Sequence, residues 1–99
     1  MRIIAVGTLR EFWSRPGRHD AEQPLRAWVH IVKGADWSKP TDVKQMFRHA
    51  DILGNDRAVF NIGGNKYRLV AAVHYRARRV YVRFIGTHKA YDRIDAETV

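Results

Sequence analysis

The chain has 99 residues and carries 18 Lys and Arg against 10 Asp and Glu, a formal net charge of +8 with histidine neutral. This excess predicts a polyanionic partner, either nucleic acid or an acidic protein. The absence of cysteine excludes disulfides, thiolate metal sites and a cysteine nucleophile. Because no apolar stretch is long enough for a signal peptide or a membrane span, we expect one soluble, cytoplasmic domain over residues 1–99.

The first third of the chain predicts a short strand and two helices. Residues 1–6 (MRIIAV) are typical of a strand, and the capping-box sequence at residues 8–11 (TLRE) indicates a short helix that begins there and ends at residues 14–17 (SRPG). Residues 21–33 predict the main helix, which Gly34 would end. Its buried stripe is expected to consist of Leu25, Trp28, Val29 and Val32.

A third, shorter helix is predicted at residues 40–47 (PTDVKQMF), with Val43, Met46 and Phe47 facing the core. Of the three tryptophans, two lie on the apolar faces of the first two helices, which is typical of core residues. That leaves Trp37 as the tryptophan that could stack on a nucleic-acid base.

From residue 57 the hydrophobic period changes from helical to alternating, which predicts antiparallel strands. The Gly-Gly pair at residues 63–64 is typical of a two-residue hairpin turn, and a second tight turn is expected around residues 77–78. These turns fix the expected register of three strands. The expected pairs include Ile62 with Asn65, Phe60 with Tyr67, Val59 with Arg68, Tyr75 with Val80, and Ala71 with Phe84.

Alternation divides the side chains of these strands between two faces of the sheet. The expected core face consists of Phe60, Tyr67, Leu69, Ala71, Val73, Tyr75, Val80, Val82 and Phe84. The expected open face consists of Arg57, Val59, Asn61, Lys66, Arg68, Val70, Ala72, His74, Tyr81, Arg83 and Ile85. The predicted fold class is therefore α+β, with the N-terminal helices packed on one face of a small antiparallel sheet and a short C-terminal helix.

The net charge is concentrated in the predicted strands. Residues 57–91 contain no acidic residue, although eight basic residues lie there. The rest of the chain balances its charges, so a polyanion is expected to bind at the sheet. The eight residues are Arg57, Lys66, Arg68, Arg76, Arg78, Arg79, Arg83 and Lys89.

The segment after the last strand predicts a short helix capped by Thr87. Helical spacing would place His88, Tyr91 and Asp92 on one side of it. Beside a cationic sheet face, a histidine or phenol could move protons while guanidinium groups hold a phosphodiester. In RNA the 2′-hydroxyl can attack the adjacent phosphate, so a ribonuclease of this type needs no metal.

Each of these residues also has an ordinary structural interpretation. Arginines on an open sheet face commonly protect the sheet from aggregation, and a histidine at a helix start is commonly a surface residue. Tyr91 could simply dock the last helix, and Asn61 could satisfy the hairpin backbone. The histidines show no zinc-ligand spacing, so no metal site is expected.

Four blocks of the sequence resemble the HigB family of bacterial toxins. They lie at residues 24–28 (PLRAW), 42–47 (DVKQMF), 59–70 (VFNIGGNKYRLV) and 81–92 (YVRFIGTHKAYD). The resemblance implies a RelE-like fold and an endoribonuclease that needs no cofactor and cleaves messenger RNA, typically on the translating ribosome. It also implies an antitoxin, usually a helix-turn-helix repressor, that binds and silences the toxin.

The resemblance also suggests roles for individual residues. Arg68 and Arg83 match the strand arginines that hold the scissile phosphate, and His88 and Tyr91 lie in the block where proton transfer is expected. Asp92 would orient His88. Further contacts with RNA are expected from Asn61, Lys66, Lys89, Arg57 and Arg79.

Two other classes of function stay open from the sequence. One is a non-catalytic RNA- or ribosome-binding protein, a degenerate toxin that uses the same basic face. The other is a cation-rich adaptor for an acidic protein. A strong dependence of RNA binding on salt, without new RNA ends, would indicate the first.

Overall fold

A five-stranded mixed sheet and four α-helices make up the structure, a computed structural model that describes residues 1–99. The strand order is β1-β5-β4-β3-β2, with β1 parallel to β5 and the other neighbours antiparallel. This confirms the predicted α+β class. The elements are β1 (Arg2–Ile4), α1 (Val6–Trp13), a 3₁₀ turn (His19–Ala21), α2 (Glu22–Lys33), α3 (Pro40–Met46), β2 (Asp51–Ile52), β3 (Arg57–Ile62), β4 (Tyr67–His74), β5 (Arg79–Thr87) and α4 (His88–Tyr91).

The helices follow their predicted positions, with one correction at α1. The main helix α2 ends at Gly34 as expected. Helix α1 begins at Val6 rather than Thr8, and no side chain caps it. The capping-box prediction was wrong because the chain leaves β1 through Ala5, in a left-handed conformation (φ 86°), and turns directly into the helix. The longest helix has 12 residues, and no helix combines the length and apolar character needed to span a bilayer.

The main hydrophobic core lies between the helices and one face of the sheet. Trp37 is only 1% exposed and lies nearly parallel to Phe60, with ring centroids 6.4 Å apart, so the expectation that it could stack on a base was wrong. Met46 was expected inside but is 48% exposed, because α3 ends there and Phe47 packs against Phe60 instead. The Met46 thioether accepts a hydrogen bond from the Trp37 indole at 3.1 Å.

Both hairpin turns are longer than predicted. Ile62 pairs with Tyr67, so residues 63–66 form a four-residue connection, and Val73 rather than Tyr75 pairs with Val80. At each turn, the observed strand register is therefore shifted by two residues from the predicted register. A slip of two preserves the face on which each side chain lies, and the predicted core positions on β3 and β4 are confirmed as Phe60, Tyr67, Leu69, Ala71 and Val73.

A β-bulge in β5 produces the main error in the predicted faces. Ala71 pairs with Val82 but Val70 pairs with Phe84, so Arg83 is an extra residue in the ladder. The bulge inverts the alternation of the residues that follow it. Phe84 therefore packs away from the main core, whereas the next residue, Ile85, packs against it, which is the reverse of the prediction.

The second face of the sheet is partly covered rather than open as predicted. Val59, Val70 and Ala96 form a small second core on that face. The C-terminal segment, residues 94–99, lies over it, so the second face is covered around Val59 and Val70 and presents polar groups to solvent elsewhere. The half-buried residues that pack against the second core are Leu53, Phe84, Tyr91, Ile94 and Val99.

Candidate active site

Four side chains meet at the exposed end of the second face and are called here the Arg68 cluster: Arg68, His88, Tyr91 and Asp92. The Arg68 Nη2 lies 3.1 Å from His88 Nε2, and its guanidinium carbon lies 5.3 Å from the centroid of the Tyr91 ring. On the other side of the imidazole, His88 Nδ1 is 3.4 Å from Asp92 Oδ2. The structure therefore brings Arg68 together with His88, Tyr91 and Asp92.

The contacts of His88 determine which of its nitrogens accepts a proton. A guanidinium has only donors, so Arg68 donates and the His88 Nε2 lone pair accepts. The Nδ1 proton is then directed at the carboxylate of Asp92, which is the arrangement that fixes a tautomer. The imidazole side chain is 44% exposed, and substrate can reach it. The cluster therefore places the Nε2 atom of His88 beside a fixed positive charge and Nδ1 beside a carboxylate.

Burial holds the Arg68 guanidinium in place. Only 15% of the side chain is exposed, and Nε is buried without a hydrogen-bond partner. Nη2 also donates to Asn65 Oδ1 at 3.4 Å, and Nη1 lies 3.8 Å from Asp51 Oδ2. These long contacts leave the outer donors able to bind a phosphate more tightly than their present partners.

The local sequence positions α4 against the strand that carries Arg68. Gly86 is the cross-strand partner of Arg68, and a Cβ at that position would lie 2.6 Å from the Phe84 ring, so only glycine fits there. Thr87 caps α4 as predicted, since its Oγ1 accepts from the Ala90 backbone N–H at 3.1 Å. The backbone N–H of His88 donates to the Lys66 carbonyl, which ties the helix to the preceding hairpin.

Lys66 is held by a partner that the sequence did not indicate. Its ammonium forms an ion pair with Asp20, and the Tyr67 hydroxyl donates to the same carboxylate at 2.5 Å. The hydrogen bonds from Lys66 and Tyr67 lower the pKa of Asp20, and that carboxylate raises the pKa of Lys66. Burial is the main cause that raises the pKa of Tyr67. The charge of Lys66 is thus largely compensated.

We expect Asp20→Asn to destabilise the fold in a pH-dependent way. The pKa of Asp20 in the folded chain lies below its ordinary value of 3.8, so the stabilisation is present above that pH and is lost as the pH falls through the folded value. The pKa of Lys66 is raised above 10.5, so the stabilisation is also lost at strongly alkaline pH. Urea unfolding of both proteins from pH 7 downward measures the difference.

The control is Asp36→Asn, which removes an exposed carboxylate paired with Arg78 and lacks a buried tyrosine partner. It is expected to change stability little at any pH. A destabilisation by Asp20→Asn that stays constant down to strongly acidic pH would contradict the prediction.

The remaining predicted site residues lie at different distances from the Arg68 cluster. Asn61 is exposed and is the cross-strand partner of Arg68, and Lys89 is exposed directly after His88. Arg83 is exposed on the bulge, where its guanidinium lies 5.8 Å from the Tyr81 ring centroid, and it makes no contact with the cluster. The structure therefore brings Asn61 and Lys89 to the cluster but leaves Arg83 outside it.

Two other predicted RNA contacts lie elsewhere in the fold. Arg57 is half-buried and donates from Nη2 to the Val99 carbonyl at 2.8 Å, so its side chain holds the C-terminal segment. Arg79 begins β5, about 25 Å from the strand end that carries the cluster. Both stay predictions as RNA ligands, but neither contacts the cluster. No three histidine or acidic side chains converge as metal ligands would.

Comparison with known proteins shows the family to which the chain belongs. The family model described as "HigB_toxin, RelE-like toxic component of a toxin-antitoxin system" matches residues 21–94. The chain belongs to the HigB toxin family. The predicted family is confirmed, and the α+β fold is consistent with that of RelE-like toxins. The matched segment contains all four members of the Arg68 cluster, whereas Asp20 lies one residue before it.

Named HigB relatives match over nearly the whole chain. The mRNA interferase toxin HigB of Escherichia coli strain K12 is 31% identical over 94 residues, which cover 93% of this chain and 88% of the relative. The mRNA interferase HigB of Shigella flexneri matches to the same extent. The mRNA interferase HigB of Escherichia coli O6:H1 is 28% identical over 96 residues, covering 95% of this chain and 91% of the relative.

Proposed function

We propose that this HigB family member is an endoribonuclease that cleaves mRNA, with the Arg68 cluster as its active site. The observation that carries the proposal is the contact between Arg68 and His88. It places an imidazole nitrogen 3.1 Å from a partly buried guanidinium, at the end of the second face where α4 begins. The relatives are named mRNA interferases, which supports the same activity.

The geometry suggests how the reaction begins. A phosphodiester that binds the outer donors of Arg68 replaces His88 Nε2 as the acceptor of the Nη2 hydrogen bond, because an anion is the stronger acceptor. The freed Nε2 takes the proton of the adjacent 2′-hydroxyl, and Asp92 stabilises the imidazolium that forms. The 2′-oxygen attacks phosphorus while Arg68 binds the growing negative charge. Since the nucleophile belongs to the RNA, this step requires no metal.

The second proton transfer completes the cleavage. The bond from phosphorus to the 5′-oxygen breaks, and that oxygen must receive a proton. Tyr91 is the nearest remaining acid in the cluster, with its ring 6.4 Å from the His88 ring. We therefore assign its hydroxyl as the proton donor. The products are a 2′,3′-cyclic phosphate and a free 5′-hydroxyl. The proton taken up by His88 then returns to the Tyr91 oxygen, so atoms and charge balance and no water molecule is consumed.

The family and the charge of the chain also suggest its macromolecular partners, the ribosome and an antitoxin. We propose that cleavage occurs on the translating ribosome in the cytoplasm, where an excess of +8 favours association with ribosomal RNA. Lys89 and Asn61 would contact nucleotides next to the scissile phosphate, and Arg83 would extend this surface along β5. A cognate antitoxin, expected to be of the helix-turn-helix type, would block the same end of the sheet.

The chemistry of the RNA ends tests this function. Purified protein is incubated with translating ribosomes on a defined mRNA and on the same mRNA without its start codon, each with and without EDTA. We expect cuts only in the translated message, with 2′,3′-cyclic phosphate and 5′-hydroxyl ends that EDTA does not suppress. Ends that carry a 5′-phosphate, or no cuts in either message, would contradict the proposed chemistry.

A further inference from the structure

A cleft lies beside the Arg68 cluster, at the edge of β3. Its volume is about 400 Å³, within the range of small-molecule sites. Half-buried Phe47 contributes an aromatic wall over the buried ring of Phe60, while Arg48, His49 and Asn61 contribute polar groups. No acidic side chain lines it. We call it the β3-edge cleft.

The cleft exists because β2 is short. Strand β2 pairs only with Ala58 and Val59, so the edge of β3 from Phe60 to Ile62 has no neighbouring strand on that side. The loop from Phe47 to Ala50 closes the gap partially. Both the open strand edge and the exposed polar side chains of this loop face solvent, so a ligand can enter.

Asn61 links the cleft to the proposed active site, because it lines the cleft and is the cross-strand partner of Arg68. Across this end of the sheet, His88 follows β5, Arg68 lies on β4 and its partner Asn61 lies on β3. Adjacent strands are about 4.8 Å apart. A nucleotide whose phosphate binds Arg68 therefore reaches the β3-edge cleft without leaving the surface.

The lining of the cleft suits a nucleobase better than other ligands. Phe47 and His49 offer rings on which a base can stack. The Asn61 amide has both a donor and an acceptor for a base edge. Arg48 is exposed and has no acidic partner, so its charge is available for a flanking phosphate. The absence of carboxylates argues against a cationic ligand.

We propose that the β3-edge cleft binds the unpaired base next to the phosphate held by Arg68, and so determines which RNA sequence is cut. This assignment rests on the proposed function, because it takes RNA as the substrate. Arg68 and His88 then catalyse the same reaction at every RNA position that is cut. Asn61 and His49 determine which base is preferred beside the cut.

Mapping of RNA cuts in cells tests the assignment. We expect His49→Ala to keep cutting RNA but to reduce the preference for one base, at a single position beside the cut, on the order of 10-fold. Asn61→Ala also removes a proposed contact beside the scissile phosphate, so it should lower the amount of cutting as well as the preference. Both side chains are exposed, so the fold should persist. The control His30→Ala removes an exposed histidine from α2, and its preference should match the wild type. Unchanged preference in both cleft variants would overturn the proposal.

A second measurement does not depend on cleavage. A tetranucleotide with 2′-O-methyl groups lacks the attacking hydroxyl, so it binds without reacting. Titrated into the wild-type protein, it should shift the NMR signals of the Asn61 amide and the His49 ring, and by different amounts as the base at one position is varied. If these shifts are seen but the protein makes no cuts in RNA, base binding in the cleft stands and the proposed ribonuclease function is rejected. No shift at either residue would reject the cleft.

Discussion

Arg68→Ala is expected to abolish growth inhibition and to reduce RNA cleavage by about 10²–10³-fold, the usual cost of one donor to a developing oxyanion. The guanidinium is partly buried and already directed at the reacting site, so no other residue of the cluster can replace it. Arg68→Lys keeps the charge but loses the planar fork, and an intermediate loss is expected. Cleavage of a defined mRNA on ribosomes measures both variants.

The matched control for Arg68 is Arg76→Ala. It removes the same charge from an exposed position in the turn between β4 and β5, far from the cluster. It should retain wild-type toxicity. Thermal unfolding shows whether Arg68→Ala is folded. Normal toxicity of a folded Arg68→Ala variant would show that the active site lies elsewhere.

His88→Ala is expected to lower the cleavage rate by about 10²–10⁴-fold, the usual contribution of a general base. RNA binding should change much less, because Arg68 still holds the phosphate. The expected result is therefore a fall in the rate at saturating RNA with a nearly unchanged Kd. A filter-binding titration and single-turnover cleavage separate the two quantities.

A structural role for His88 would give a different pattern. If the imidazole only supports Arg68, His88→Ala should weaken binding and slow cleavage to the same degree. His30→Ala, at an exposed position on α2, is the control for loss of a histidine and should change neither. Equal losses in binding and rate would contradict the assignment of Nε2 as the base.

The composition of the Arg68 cluster could be predicted because its members are close in sequence or in register. His88 and Asp92 are one helical turn apart, so helical spacing alone brings them together. Arg68 is brought to them because the two-residue slip at each turn keeps the side chains of β4 on their predicted faces. The α+β class followed from the change of hydrophobic period.

The bulge and the second core could not be predicted from the same pattern. Phe84 and Ile85 are both apolar, so alternation fits equally well with either one facing the main core. The bulge that decides between them depends on packing against the C-terminal segment. That segment also explains why the second face is only partly open. Arg57, predicted to contact RNA, instead holds this segment through Val99.

Contacts between distant parts of the chain were the other source of error. Asp20 and Lys66 are 46 residues apart, and nothing in the local sequence pairs them. Trp37 lies outside any helix, so no periodicity showed that it is buried. In both cases tertiary packing, rather than local spacing, decides the environment.

The most direct test of RNA cleavage by the Arg68 cluster is a map of RNA 5′ ends across the transcriptome. Wild type and His88→Ala are induced in a bacterium to equal protein levels, and growth is recorded in parallel. We predict that the wild type stops growth and creates new 5′ ends inside translated messages, while the variant does neither. Growth arrest by the wild type without new 5′ ends would contradict the account.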